Sequence, residues 1–165
     1  MNLAGEVGTH LTGLEQLRAM IAAGRRPGIA ESLDFQLVEV DEGRAVFEGT
    51  PGLRVYNPIN TVHGGYAATL LDSACGCAVH SRLGPGQGYT TLELKVSYHK
   101  AMTAKTGVVR AEGKIVSFGR RAAFAEARLT DANGRLYASA TSSLLLIPAP
   151  APQTDSPGRN SPPLP

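Results

Sequence analysis

The first pattern along the chain is that of an amphipathic helix. Thr12 and Glu15 have the spacing of a capping box, and Gly24 marks the end of the helix that follows. The apolar residues between them recur at helical spacing, at Leu14, Leu17, Met20 and Ile21. We expect a helix of about 12 residues packed on the outside of the domain. Arg25 and Arg26 are expected to cap its carboxyl end, and binding of a ligand phosphate is the alternative.

Alternation of apolar and polar residues predicts six β-strands further along the chain. The segments are residues 33–37, 44–49, 89–98, 106–116, 121–130 and 136–147. Turn-forming residues at 41–43 and 131–134 join neighbouring segments closely. Since short connections favour antiparallel neighbours, the sequence predicts one antiparallel sheet of about six strands.

Between the second and third strands lies a stretch that is apolar on every side. Residues 64–79 contain one charged side chain, Asp72. A helix that is apolar all round is a buried helix, and roughly 16 residues are too few to cross a bilayer. Burying a carboxylate requires donors or reflects a function. Asp72 is therefore either a catalytic group or a structural carboxylate held by backbone donors.

The beginning of this buried helix predicts a site for an oxygen atom. Gly64 and Gly65 allow close approach to the backbone, and the first amides of a helix are unpaired and lie at its positive end. Such amides bind an anion or a developing oxyanion; a plain turn glycine is the alternative for Gly64.

Gly64 and Asp72 are eight residues apart, about 12 Å along a helix. If both act on one carbonyl, Asp72 comes from a second copy of the chain, in a dimer with antiparallel helices.

Composition narrows the class of protein. The 165 residues are 42% hydrophobic and 18% charged, as in one globular domain. A net charge of +2 does not suggest a nucleic-acid partner. Neither a signal peptide nor a membrane span is evident, so we expect a cytoplasmic protein. Cys75 and Cys77 point in different directions on the helix and are expected to be core thiols, not metal ligands.

The chain is expected to divide into three parts. These are an N-terminal helix with its linker (residues 1–30), a folded domain (31–147) and a disordered tail (148–165). Seven of the 18 tail residues are Pro, so the tail cannot bury apolar area. A Pro-rich docking peptide is the alternative for this segment.

The order of elements resembles a known fold family. A helix, two strands, a buried helix opened by His63-Gly64-Gly65 and four strands together resemble the hotdog fold, an α+β fold in which the sheet wraps around the long helix. The likeness is greatest to the PaaI-type acyl-CoA thioesterases of phenylacetate degradation, over roughly residues 32–147. Further matching residues are Asn57, Leu71, Asp72, Thr90, Thr91, Leu92, Glu93, Leu94, Gly119, Arg120, Arg121, Asp131, Gly134 and Arg135. Asn60-Thr61 depart from the glycine that some relatives carry shortly before the His.

The resemblance implies a site split between two chains. The thioester carbonyl would accept a hydrogen bond from the Gly64 amide, and Asp72 of the partner subunit would attack it or activate water. Asn57 and His63 would orient the thioester, and Thr91 would place the water or the carboxylate.

Three of these roles have structural alternatives. His63 could cap the helix, and Asn57 could satisfy the backbone of its own loop. In a regular strand Thr91 shares a face with Glu93 and reaches the site only if that face looks into the dimer interface; Thr90 would otherwise replace it.

Candidate contacts to the substrate follow from its chemistry. Basic groups recognise phosphate, although such residues on strand edges are often merely solvated. The basic candidates for binding coenzyme A are Lys95, Lys100, Arg120 and Arg121. Gly65 and Thr90 are further candidates for contact with the substrate. The acyl pocket is expected beside the buried helix, at Tyr66, Leu70, Leu71 and Cys75. We expect no metal or redox cofactor; coenzyme A is part of the substrate. A homodimer that pairs into a dimer of dimers is the expected assembly.

Two other functions remain open at this stage. A hotdog hydratase or dehydratase would act on a hydroxyacyl thioester and leave the thioester intact, although the chain lacks the second loop His of that arrangement. A non-catalytic module would bind acyl-CoA without releasing the thiol.

Overall fold

Residues 8–150, the part of the chain that the computed structural model describes, form three α-helices and six strands. In chain order these are α1 (Gly13–Ala22), α2 (Gly28–Leu33), β1 (Phe35–Asp41), β2 (Arg44–Gly49), α3 (Gly64–His80), β3 (Gly88–Tyr98), β4 (Val109–Phe118), β5 (Ala122–Asp131) and β6 (Leu136–Ile147). Two short 3₁₀ turns, Leu53–Val55 and Ala104–Thr106, lie in the connections. Most of the predicted Pro-rich tail, residues 151–165, lies outside the described residues.

The six strands form one antiparallel sheet, which confirms the sequence prediction. Their order is β1-β2-β4-β5-β6-β3, and every neighbouring pair is antiparallel. The turn between β5 and β6 forms as expected, because the Asp131 carboxylate accepts hydrogen bonds from the N–H groups of Asn133 and Arg135. β1 and β3 are the two edges of the sheet.

The buried helix α3 lies at the centre of the domain. It contacts all six strands, and Leu70, Leu71 and Ala74 on it are fully buried. Glycine in the facing strand β4 allows this close approach: a Cβ atom on Gly113 would lie 2.3 Å from the carbonyl oxygen of Ala74. The sequence prediction of an enclosed helix with a sheet wrapped around it is thus confirmed.

The N-terminal helix α1 contacts the carboxyl end of α3 through a side-chain hydrogen bond. Its predicted capping box forms, since the Thr12 hydroxyl accepts from the Glu15 N–H and the Glu15 carboxylate accepts from the Thr12 N–H. Gln16 Oε1 lies 2.8 Å from His80 Nε2. Burial lowers the pKa of His80, which favours the neutral ring in this contact.

The short helix α2 differs from the sequence prediction, which placed a strand from residue 33. The strand begins instead at Phe35. Residues 28–33 follow Pro27 as a single helical segment, and Asp34 ends it in the left-handed conformation, with φ 55°. Six residues are too few for hydrophobic periodicity to distinguish a helix from a strand.

Gly113→Ala tests how closely α3 approaches the sheet. The added methyl group would collide with the helix backbone, and overpacking of this kind costs about 1–3 kcal/mol. We expect the free energy of unfolding, measured by urea denaturation, to fall by that amount. Gly88→Ala is the control, because its Cβ would make an ordinary 3.7 Å contact with Ile147. Equal stability of the two variants would show that α3 does not depend on this approach.

Candidate active site

Asp72 and Thr91 meet beside the middle of α3. The Thr91 hydroxyl donates a hydrogen bond to Asp72 Oδ1 at 3.2 Å. Both side chains line a cavity of about 220 Å³ between α3, β1, β3 and the N-terminal helices. Asp72 and Thr91 of the same chain are therefore in contact, as the suggested role of Thr91 in placing the carboxylate requires.

A bulge in β3 turns Thr91 toward α3. The pairing of β3 with β6 shifts register between Thr91 and Glu93, so Leu92 is an extra residue. Thr91 consequently faces the same side as Leu94, whereas Leu92 points outward and is 63% exposed. The sequence-based expectation that Thr91 shares a face with Glu93 is wrong for this reason. Thr90 is exposed on the opposite side of the strand.

The environment of Asp72 makes its charge costly. Burial raises the pKa of this carboxyl group, and the Thr91 hydrogen bond opposes that effect. The neighbouring thiols are neutral, because burial and the charge of Asp72 raise the pKa of Cys75 and Cys77 to about 12. A carboxylate that is partly desolvated and held by one hydroxyl is suited to act as a base or nucleophile.

A second cavity of about 320 Å³ lies at the beginning of α3 and includes Gly64. Within residues 8–150 the Gly64 N–H meets no hydrogen-bond acceptor, whereas the Gly65 N–H donates to His63 Nδ1 at 2.8 Å. Gly65 therefore offers no free amide, and Gly64 presents one at the positive end of the helix. The Tyr98 hydroxyl donates to the Gly64 carbonyl oxygen at 3.0 Å and holds this turn against β3.

His63 and Asn57 are both engaged in local structure. His63 is the N-cap of α3, and its N–H donates to the Val55 carbonyl oxygen at 2.7 Å. Asn57 closes its loop: its Oδ1 accepts from the N–H groups of Ile59 and Thr61, and its Nδ2 donates to the Thr61 hydroxyl. These contacts match the structural alternatives and fix the approach to Gly64.

Gly64 and Asp72 line separate cavities in one chain. The helix holds them eight residues apart, about 12 Å at 1.5 Å per residue. An oxyanion donor must lie about 3 Å from the carbonyl oxygen. One chain therefore cannot apply both groups to the same carbonyl.

The remaining predicted binding residues lie at three places. Lys100 lines the cavity at Gly64. Lys95 lies on the outer face of the sheet, in a polar groove with Glu126 and Arg128. Arg120 and Arg121 are exposed in the turn before β5.

The predicted acyl-pocket residues are packed into the core. Tyr66, Leu70, Leu71 and Cys75 are 0–3% exposed and line neither cavity. The cavity at Asp72 is instead bounded by residues that the sequence analysis did not single out for this role: Met20, Pro27, Ala30, Phe35, Gln36, Leu37, Phe47, Ser73, Cys77 and Tyr89. Tyr98 was also missed, because no local pattern marks a strand residue that contacts a helix 34 residues earlier.

Neither a metal cluster nor a membrane helix is found in the part of the chain that the structure describes. No three His, Cys, Asp or Glu side chains there could hold an ion together. No helix there has the length and apolar character needed to cross a membrane.

Comparison with known proteins finds a family model and relatives that the domain resembles. Residues 59–138 match the family model described as the thioesterase superfamily. The chain is also 24% identical over 109 residues to the 1,4-dihydroxy-2-naphthoyl-CoA hydrolase of Listeria monocytogenes. That match covers 66% of this chain and 87% of the relative.

Solved structures show the same fold. The PaaI protein from the E. coli phenylacetic acid degradation operon aligns with a TM-score of 0.72 and 19% identity, over 83% of this chain and 95% of that one. A thioesterase family protein from Silicibacter pomeroyi aligns with a TM-score of 0.71 and 22% identity, over 82% and 98%. Together with the sheet wrapped around α3, these alignments confirm the predicted hotdog fold.

Asp72→Asn is expected to change how stability depends on pH. Because the pKa of Asp72 is raised above its ordinary value of 3.8 in the folded protein, the unfolded chain ionises first as pH rises. The wild type therefore loses stability between pH 3.8 and the higher folded pKa. Asn does not ionise, so the variant does not lose stability in this way. The free energy of unfolding of Asp72→Asn minus that of the wild type should therefore increase through that pH window and then stay constant.

Urea denaturation from pH 3.5 to pH 7 measures this difference. Asp41→Asn makes the same chemical change on an exposed side chain and serves as the control. The same pH trend in both variants would contradict an effect of burial at Asp72.

Proposed function

We propose that the protein hydrolyses an acyl-CoA thioester to the free acid and coenzyme A, and the match of residues 59–138 to the thioesterase-superfamily model supports this proposal. The observation that carries this proposal is the pair of groups on α3. At its beginning the Gly64 amide donates to no acceptor among the described residues, and at its middle Asp72 is partly desolvated. The Listeria relative, a CoA-thioester hydrolase by name, also favours a CoA substrate.

The Gly64 amide polarises the thioester carbonyl in this mechanism. As the carbonyl carbon becomes tetrahedral, its oxygen gains negative charge, and a fixed N–H at the positive end of a helix stabilises that charge. His63, as the N-cap, keeps the Gly65 amide occupied, so the substrate oxygen is directed to Gly64. Asn57 shapes the loop that leads to this point.

Asp72 supplies the second half of the chemistry. Its carboxylate either removes a proton from water that attacks the carbonyl carbon or attacks the carbon itself. Thr91 orients the carboxylate through its hydrogen bond. On the first route the carbon–sulfur bond breaks after water has added, and the proton taken by the carboxylate passes to the leaving sulfur. On the second route the carbon–sulfur bond breaks as an acyl–Asp72 anhydride forms, and water then hydrolyses this anhydride. Both routes release the free acid and coenzyme A as the thiol. Neither route requires a metal or redox cofactor.

The two groups reach one carbonyl across a homodimer. Because one chain holds them about 12 Å apart, we assign the Gly64 amide to one subunit and the carboxylate to the partner subunit's Asp72. Antiparallel helices related by a two-fold axis create two equivalent sites. β3 is an edge strand with exposed Leu92, and an unpaired edge is a template for pairing with another chain. Further pairing into a dimer of dimers completes the proposed assembly.

Basic residues around the site are proposed to bind coenzyme A. Lys100 borders the Gly64 cavity and is placed to meet the pantetheine arm or a phosphate. Lys95, Arg120 and Arg121 lie on exposed surface, where the larger nucleotide portion could rest. Tyr66, Leu70, Leu71 and Cys75 form the core behind the reacting atoms.

Asp72→Asn is expected to abolish most of the activity. The change keeps the shape of the side chain and removes the carboxylate, so turnover should fall by about 10²–10⁴ with acyl-CoA binding retained. A panel of aryl, short, medium and long acyl-CoAs, assayed with a thiol-trapping dye, measures the rate. Asp41→Asn, on the exposed surface, should remain as active as the wild type.

The same panel separates the rival functions. A hydratase would consume a substrate without releasing thiol, and a binding module would bind acyl-CoA tightly without turnover. Near-wild-type hydrolysis by Asp72→Asn would remove Asp72 from the mechanism.

Mixing two inactive variants tests whether the site is shared between subunits. Gly64→Pro removes the N–H, and Pro is well tolerated at the first helical position. In a mixed dimer with Asp72→Asn, one site regains both intact groups. Random mixing should therefore restore about a quarter of wild-type activity. Gly64→Ala keeps the N–H and controls for contact with Tyr98, whose ring would lie 3.0 Å from a Cβ there. Mixed dimers without activity would contradict the shared site.

A further inference from the structure

We propose that the segment joining α1 to α2 forms one wall of a substrate pocket and that Arg25 and Arg26 in it bind an anionic oxygen group of the substrate. This group is either a carboxylate at the far end of the acyl group or a phosphate of coenzyme A. The inference rests on the proposed thioester hydrolysis, because it takes Asp72 as the reacting end of the pocket.

The cavity at Asp72 connects the reacting group to the N-terminal segment. Asp72 and Thr91 lie on one side of it, whereas Met20 of α1 and Arg25 and Arg26 after it lie on another. The rest of the lining is largely apolar and comes from α2, α3, β1, β2 and β3. A substrate that reacts at Asp72 and extends into this cavity therefore meets the two arginines.

The size of the cavity limits what enters it. Its volume of about 220 Å³ is below the roughly 300–1,000 Å³ typical of sites that enclose a whole small molecule. A complete acyl-CoA cannot fit inside. An acyl group can, and its far end would lie near the arginines at the exposed side; a phosphate could reach them only from outside.

The ion pair that Arg26 makes within the chain is one that a substrate anion can displace. Arg26 forms an ion pair with Asp34, at 3.1 Å, and both side chains are partly exposed. Such an exposed pair is weak, so a substrate anion can compete for the Arg26 guanidinium, which matches carboxylate and phosphate oxygens in a two-pronged geometry.

Two acyl-CoAs of equal length test this inference. Adipoyl-CoA carries a carboxylate at its far end, and hexanoyl-CoA does not. For Arg25→Gln/Arg26→Gln we expect kcat/KM on adipoyl-CoA to fall about tenfold or more, as for loss of a charged hydrogen bond, with hexanoyl-CoA changed less than about twofold. Arg18→Gln removes one charge from the exposed face of α1, away from the cavity, and should change neither rate.

A phosphate-free substrate separates the two sources of the anion. If coenzyme A supplies it, the double variant loses activity on both CoA esters but not on hexanoyl-N-acetylcysteamine, which has no phosphate. Asp34→Asn provides a second readout, since Asn tolerates the left-handed backbone at this position and releases Arg26. It should raise the affinity for whichever substrate carries the bound anion.

Calorimetric measurement of acyl-CoA binding to the Asp72→Asn variant, with and without the two arginine substitutions, separates the anion site from the proposed hydrolysis. If the wild type releases no thiol from any substrate, the proposed hydrolysis fails, while the dissociation constants still test the arginines. Equal affinities and equal kcat/KM for the double variant and the parent on both CoA esters would overturn the anion site. The anion site would also be overturned if the double variant lost as much kcat/KM on hexanoyl-N-acetylcysteamine as on the CoA esters. The same loss of kcat/KM in Arg18→Gln would overturn it as well.

Discussion

The rigidity of α3 determines the organisation of the candidate site. A 17-residue helix holds the Gly64 amide and the Asp72 carboxylate at a fixed spacing and on one axis. No side-chain rotation brings the two groups to one carbonyl, so chemistry that uses both must combine two helices. The open edge at β3 and the separate cavities at Gly64 and Asp72 are consistent with this constraint. In the proposed mechanism, catalysis and assembly are thus coupled through the same helix.

The enclosure of α3 also sets the chemistry of Asp72. On one side, the helix packs closely on the sheet, with Gly113 against the backbone at Ala74. On another side, Asp72 lies in a largely apolar cavity beneath the N-terminal segment, and burial there raises its pKa. Thr91 restores part of the lost solvation with a single hydrogen bond. The fold therefore gives up stability at Asp72, as is common where a group is held ready for reaction.

Local patterns predicted the elements whose signals are continuous in sequence. The capping box at Thr12 and the apolar run of α3 each involve neighbouring residues, and both were found where expected. The β3 bulge at Leu92 could not be read in this way, because it depends on the register with β6. As a result, strand alternation put Thr91 on the wrong face, although its proximity to Asp72 followed from the family resemblance. Tyr98 escaped prediction because its contact to Gly64 depends on tertiary packing.

The candidate site also divides between the segment that matches the family model and the segment before it. Gly64, Asp72 and Thr91 fall within residues 59–138, the part that matches the thioesterase superfamily. The cavity wall formed by Met20, Arg25 and other residues before β2 lies outside that match. The matched segment thus carries the groups of the proposed reaction, whereas the N-terminal segment adds a wall and two positive charges to the cavity at Asp72. Since Gln16 and His80 tie α1 to the end of α3, that wall is held in place by the same helix that carries the reacting groups.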